Sequence, residues 1–212
     1  TTVIKSPGIA DKIAIIKKIT EKKIPVISEI EFGSRFSKAK IIAITGTNGK
    51  TTTTSLTYHI LEKAGLNVGL GGNIGTSFAR QVADGDKEYF VLEISSFQLD
   101  NCTTFKPFIS ILCNITEDHL DRYDYKFENY IRSKFSITKN QDANDYFIYC
   151  QDDAVTTEYF TMANADVQKI PFSYHQKVSN GAYIENQQLI IELNKNNFTM
   201  PTSELSIHGI HN

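Results

Sequence analysis

The stretch KIIAITGTNGKTTTT, residues 40–54, constrains this chain more than any other. An apolar run of strand character ends in a glycine-bearing turn. The turn opens into a helical segment, residues 51–64, in which Leu56, Ile60 and Ala64 are expected to share the inner face. Gly46 and Gly49 can take dihedral angles closed to other residues, so successive backbone N–H groups can point into the turn. An anion held there would sit on the N-terminus of the following helix. Lys50 would serve as a mobile point charge and Thr51 would offer its hydroxyl to a nucleotide-bound magnesium ion. Thr52 can line the same site, whereas Thr53 and Thr54 need be no more than a first helical turn. The turn supplies only a GxxGKT pattern, so a glycine turn without a ligand stays open as the alternative.

The same alternation continues along the chain. LNVGL (66–70), EYFVLEI (88–94), PFISILC (107–113) and YFIYC (146–150) read as strands, with a helix expected at 127–139. Near-continuous apolar strands of this kind belong to parallel sheets covered by helices on both faces. The expected fold is therefore α/β, a mostly parallel sheet flanked by helices and carrying a P-loop. Beyond residue 165, VQKIPFS, GAYIENQQLIIELN and FTMP predict antiparallel hairpins in place of another βαβ crossover. At the other end, a surface helix is expected over residues 9–22 and a strand at IPVIS (24–28), with 29–39 as a linking segment outside the core. That places a boundary after residue 33: residues 1–33 as the tail of another domain, and 34–212 as the nucleotide-binding domain.

With 212 residues the chain can bury a substantial core. Its net charge of −2 mixes 22 basic and 24 acidic side chains without a basic block, which argues against nucleic acid as a partner. No apolar span approaches the length of a membrane helix, so membrane insertion is not expected. Cys102, Cys113 and Cys150 follow no zinc spacing and read as reduced thiols of a cytoplasmic protein.

Three residues sit where their chemistry is out of place. Glu93 interrupts the apolar strand of VLEISSFQLD, at the strand end where open α/β sheets place their sites. A magnesium ion or a basic partner would offset the cost of burying it, and a position at the sheet edge is the plainer reading. His119, in NITEDHLDRY, follows another apolar strand among Glu117, Asp118 and Asp121. By spacing alone it is a capping or packing residue more readily than a ligand, since magnesium prefers oxygen. Lys134 falls on the helical stripe of Phe127, Tyr130, Ile131 and Phe135, where it must snorkel, pair or take part in chemistry. Ser95 and Ser96 could cap a helix, and Gln98 could address a nucleotide. Together Lys50, Glu93, His119 and Lys134 would suit stabilisation of a transferring phosphoryl group.

SPGI (6–9), IPVISEIE (24–31), GTNGKTT (46–52), GGNIG (71–75), LEISSFQLD (92–100), NITEDHLDRY (114–123) and GIHN (209–212) resemble, in this order, the Mur ligase family of peptidoglycan biosynthesis. LEISSFQL with NITEDHLDRY resembles most its D-glutamate-adding branch. The resemblance implies a Mur ligase central domain in which Gly46, Thr47, Asn48, Gly49, Lys50, Thr51 and Thr52 hold the ATP phosphates. Thr51, Glu93, His119 and Lys134 would serve two magnesium ions, Lys134 as a carbamylated lysine, with Lys50, Lys134 and His119 as catalytic residues. Asn212 would lie near the adenine end of ATP, Asn73 and Ser96 at the muramoyl substrate, and Ser6, Pro7 and Gly8 near its uridine diphosphate. Asp118 and Asp121 are expected to shape the loop.

The implied reaction is ATP-dependent formation of an amide between UDP-N-acetylmuramoyl-L-alanine and D-glutamate through an acyl phosphate, by a monomer in the cytoplasm. The family's C-terminal domain and most of its N-terminal domain have no counterpart in these motifs, so this stretch alone is expected to ligate weakly or not at all. A ligase adding a diamino acid, one extending folate with glutamate, and a noncatalytic nucleotide-binding module are the competing expectations.

Overall fold

A computed structural model describes residues 1–205 of the chain. Two short strands, β1 (Val3–Lys5) and β2 (Val26–Ser28), pair in parallel as a small sheet of their own, joined through helix α1 (Ala14–Glu21). The helix expected over 9–22 begins later, because a turn closed by Ile9 N–H on the Ser6 carbonyl and an extended Ile13 precede it. Of its isoleucines, Ile16 is buried, whereas Ile13 and Ile15 are exposed.

The expected linking segment contains a core helix, α2 (Glu29–Ser34), started by Ser28 Oγ accepting from the Glu31 amide. Ile30 and Glu31 are fully buried, and Gly33 lies so close to Phe78 that a methyl group there would meet its ring at 2.7 Å. The Glu31 carboxylate accepts from the amides of Thr103, Thr104 and Phe105, from both threonine hydroxyls and from Arg35. This clasp fixes α2 to the chain entering the sheet. Six residues are too few to display a helical period, which is why sequence spacing misses it.

From residue 40 the expected alternation holds. β3 (Lys40–Thr45), α3 (Lys50–Lys63), β4 (Val68–Gly72), α4 (Phe78–Asp84), β5 (Tyr89–Glu93), α5 (Ser96–Leu99), β6 (Ile109–Leu112), α6 (Phe127–Phe135), β7 (Tyr146–Cys150), α7 (Ala154–Glu158) and β8 (Gln168–Ser173) follow one another. β9 (Gly181–Glu185), β10 (Gln188–Leu193) and β11 (Asn196–Pro201) complete a nine-stranded sheet of order β11-β10-β9-β8-β7-β6-β3-β5-β4. Neighbours pair in parallel from β4 to β9, and only β9–β10 and β10–β11 are antiparallel. The hairpins expected beyond residue 165 thus begin at β9. VQKIPFS instead becomes β8 through another crossover, carried by α7, which Asp153 caps at the Thr156 amide. Both hairpins turn on two-residue loops with positive φ, Asn186–Gln187 and Asn194–Lys195, whose twist matches that of the strands.

Alternate residues of β3 serve the two faces. Ile41 and Ala43 join Ile30, Phe78, Phe90 and Leu92 beneath α2 and α4. Ile42 and Ile44 join Val91 and Cys113 beneath α3. The face α3 turns inward is Thr54, Tyr58 and Leu61, not the expected Leu56, Ile60 and Ala64, and Ile60 is 57 % exposed. The threonine-rich first turn carries too little apolar contrast to fix the helix's rotation, which the loop before it sets. A third cluster, with Leu112, Tyr123, Tyr130, Phe135 and Phe147, packs α6 on β6 and β7. Among the described residues no helix is long and apolar enough to cross a membrane.

Candidate nucleotide-binding site

β3 lies between β5 and β6, although β4 and β5 follow it in sequence, so the strand order reverses around it. In open α/β sheets the crevice beyond the strand ends at such a reversal is where ligands bind. Here it gathers the loop after β3, the end of β5 with Glu93, and the segment after β6 that begins at Asn114.

Gly46 has φ 152°, and Gly49, at φ 80°, occupies the left-handed cap position of α3. The loop is braced from β6: Thr47 N–H donates to the Asn114 carbonyl and Asn48 N–H to Asn114 Oδ1, both at 2.9 Å. Asn114 Nδ2 donates back to the Asn48 carbonyl at 3.1 Å. Asn114 thus occupies the amides of Thr47 and Asn48. The amides of Lys50, Thr51 and Thr52, at the start of α3, have no acceptor among the described residues and form the anion-facing end of the helix. Lys50 Nζ donates to the carbonyls of Gly46 at 3.0 Å and Thr47 at 2.8 Å.

Glu93 is 2 % exposed, so its position is interior and not at a sheet edge. Thr51 Oγ1 donates to Oε2 at 2.6 Å and Asn73 Nδ2 to Oε1 at 2.9 Å. Asn73 N–H also donates to the Glu93 carbonyl at 2.8 Å, which pins the loop after β4 to the end of β5. A buried carboxylate whose side-chain partners are neutral, beside a threonine hydroxyl, is an oxygen donor set suited to magnesium.

Lys134 does not snorkel. It is 2 % exposed, and its Nζ reaches inward to donate to the Gly46 carbonyl at 2.7 Å, with the Tyr130 ring centroid at 4.6 Å. Burial, reinforced by the charge of Lys50, pushes its pKa down to about 7. Two lysines thus converge on one carbonyl of the phosphate loop. Sequence reasoning missed Tyr130, whose hydroxyl lies 3.3 Å from Thr47 Oγ1. It also missed Thr116, whose amide donates to Thr47 Oγ1 and whose carbonyl accepts from it. The stripe of α6 marked Tyr130 only as core, and nothing local distinguished Asn114.

The structure brings Lys50, Thr51, Asn73, Glu93 and Lys134 to this crevice. His119 is half-exposed, with its ring 5.1 Å from that of Phe97 and Nε2 3.5 Å from Asp118 Oδ2. Its backbone is left-handed, φ 50°, and Asp118 Oδ1 accepts from its amide, which is the loop-shaping part expected of Asp118. Among the described residues no three His, Cys, Asp or Glu side chains converge as a metal site. Ser96 is buried, and its carbonyl accepts from Ser133 Oγ. Ser95, not Ser96, caps α5, and Gln98 closes the capping box instead of facing a nucleotide. The Ser6–Gly8 loop meets the His119 segment through Arg122, which donates to the Pro7 carbonyl at 3.3 Å. Asn212 lies outside the described residues.

Residues 44–212 match the family described as Mur ligase middle domain. The chain is 56 % identical over 210 residues to the UDP-N-acetylmuramoylalanine–D-glutamate ligase of Christiangramia forsetii, covering 99 % of this chain and 47 % of that protein. It is 51 % identical to the protein of the same name from Cytophaga hutchinsonii, over 99 % of this chain and 47 % of that one. The chain thus spans about half the length of the curated relatives it matches. Among solved structures, a UDP-N-acetylmuramoyl-L-alanyl-D-glutamate–2,6-diaminopimelate ligase superposes with TM-score 0.63 at 19 % identity, over 82 % of this chain and 46 % of that one. A MurF ligase from Thermotoga maritima in complex with ADP gives TM-score 0.55 at 17 % identity, over 88 % and 51 %. These two likenesses concern the fold.

Proposed function

Because the chain belongs to the Mur ligase family, we propose that it is the ATP-handling part of an amide ligase of peptidoglycan precursor synthesis, one that joins D-glutamate to UDP-N-acetylmuramoyl-L-alanine. The names of the relatives at 56 % and 51 % identity support this choice of substrates. The observation that carries it is the Thr51–Glu93–Asn73 link, which joins the phosphate loop, a buried carboxylate and the GGNIG loop at one point.

The chemistry is transfer of the γ-phosphoryl group of ATP to the terminal L-alanine carboxylate, releasing ADP and leaving an acyl phosphate. The D-glutamate amine then attacks the acyl carbon, and phosphate departs as the amide forms. The amides of Lys50, Thr51 and Thr52, with the Lys50 ammonium, hold the phosphates in line. Thr51, Glu93, His119 and Lys134 would hold two magnesium ions. When bound, magnesium offsets phosphate charge and polarises the transferring group.

Lys134, with its pKa at about 7, presents a large share of neutral amine near neutral pH. The amine's lone pair adds to carbon dioxide, a proton leaves, and the carbamate is an anionic ligand where an ammonium stood. Asn73 and Ser96 would address the muramoyl substrate, Ser6, Pro7 and Gly8 the uridine diphosphate, and Asn212 the adenine. Residues 1–33 read as the end of a preceding uridine-nucleotide domain; the separate β1–β2 sheet supports this division up to Ser28, whereas α2 packs into the core of the nucleotide-binding domain. The protein would act as a cytoplasmic monomer.

Calorimetric titration with ATP and magnesium, followed by an assay of ADP release with the precursor and D-glutamate, tests this reading. Magnesium-dependent nucleotide binding with weak or no ligation is expected of the 212-residue chain. Failure to bind nucleotide would sink the site, and full turnover would overturn the expectation of weak ligation. In a protein of the relatives' length, preference for a diamino acid or a glutamyl-folate would move the assignment to another ligase.

A further inference from the structure

The phosphate loop and Lys134 are held by one buried side chain. Tyr130 is 2 % exposed, on α6 one turn before Lys134. Its ring face lies under the Lys134 ammonium at 4.6 Å, and its hydroxyl reaches Thr47 Oγ1 at 3.3 Å. Thr47 Oγ1 is itself bonded to Thr116, donating to its carbonyl at 3.1 Å and accepting from its amide at 3.0 Å. Lys134 Nζ in turn grips the Gly46 carbonyl, the residue before Thr47. Thus α6, the phosphate loop and the segment after β6 meet around a single tyrosine.

We propose that Tyr130 is a positioning residue for nucleotide binding, setting the phosphate loop through its hydroxyl and the Lys134 ammonium through its ring. The inference rests on the nucleotide-binding reading of the site. Packing alone does not account for the tyrosine, because phenylalanine fills the same volume and leaves Thr47 without its third partner. Loss of that contact loosens Thr47 while the ring under Lys134 remains. Loss of the ring frees Lys134 to move off the Gly46 carbonyl.

The test uses the full chain and Mg·ADP as probe, by titration calorimetry, with amide hydrogen exchange read at the loop. Tyr130→Phe is expected to weaken Mg·ADP about fivefold, the worth of one net hydrogen bond. It should also speed exchange at Thr47 and Thr116 while leaving the melting temperature within a few degrees. Phe127→Leu, which trims the same cluster, should leave affinity unchanged. A cycle of Tyr130→Phe with Thr47→Val should be strongly non-additive, since both changes remove one contact. Parent-like affinity of Tyr130→Phe, or additive effects in the cycle, overturns the inference alone. No binding by the unsubstituted chain overturns the proposed function and with it the premise.

Discussion

Thr51 Oγ1 donates to Glu93 Oε2 at 2.6 Å, joining the first turn of α3 to the end of β5 across 42 residues of sequence. Parallel pairing of β3 with β5 makes the link possible, since Ile44 and Glu93 are register partners and the phosphate loop leaves β3 beside them. The carboxylate is thereby buried against neutral groups, next to where a phosphate would bind.

Glu93→Gln keeps the shape and removes the charge. The melting temperature without ligand should change by only a few degrees, whereas magnesium-dependent nucleotide affinity should fall at least about tenfold, or 1.4 kcal/mol. Calorimetric titrations with and without magnesium separate the two effects. Equal magnesium dependence in both proteins would remove Glu93 from the cation site.

Lys134 makes stability depend on pH in a defined sense. Burial, with Lys50 nearby, lowers its pKa from an ordinary 10.5 to about 7. Between those values the unfolded chain binds a proton that the folded chain does not, so stability rises with pH through that window, and below about 7 the full cost of the buried charge remains. A shift of this size corresponds to a cost of about 5 kcal/mol. Lys134→Met should therefore be more stable than the parent at pH 6.5, with the advantage shrinking by pH 9.5, as read from urea midpoints.

Glu31 works at the acid end. Burial alone would raise its pKa, but the bonds from Thr104, Arg35 and the backbone amides outweigh burial and hold it at about 2. A depressed carboxyl stabilises fully above its ordinary 4.5, and that stabilisation is lost as pH falls toward 2. Glu31→Gln should cost about 2 to 3 kcal/mol at pH 7 and nearly nothing at pH 2, giving a flatter acid limb in denaturation.

Gly46→Ala places a methyl group 2.9 Å from Cys113 Cβ at φ 152°, a backbone angle that alanine resists. A loss of about 1 to 3 kcal/mol is expected. The nucleotide affinity should fall further than that stability loss explains, because the carbonyl of Gly46 anchors both Lys50 and Lys134. Chemical denaturation and calorimetry on the same sample compare the two losses.

Much of this was legible in the residues. Apolar runs four to seven residues long, divided by glycine turns and helical spacing, announce parallel strands because only a doubly covered sheet buries both faces of each strand. Lys134 was conspicuous as a charge on an apolar stripe, and Glu93 as a carboxylate in an apolar strand. Helix α2 was not legible, since six residues show no period and the clasp partners that fix it to the sheet, Thr103, Thr104 and Phe105, lie more than 70 residues away. Nor was the inner face of α3, where threonines give little contrast, or the brace by Asn114, an ordinary loop residue until β6 sets it beside β3.

By itself the sequence determined the local chemistry: a glycine turn that opens a helix, strands buried on both faces, and charged groups on apolar elements. Those follow from dihedral freedom, hydrophobic periodicity and the cost of burying charge, which act over a few residues. Tertiary structure alone decided which groups meet. Strand order sets β3 between β5 and β6, and register brings Thr51 to Glu93 and Tyr130 with Lys134 to the phosphate loop. It also leaves His119 with Phe97 and Asp118. Contacts between distant residues depend on how whole elements pack, and no short stretch encodes that.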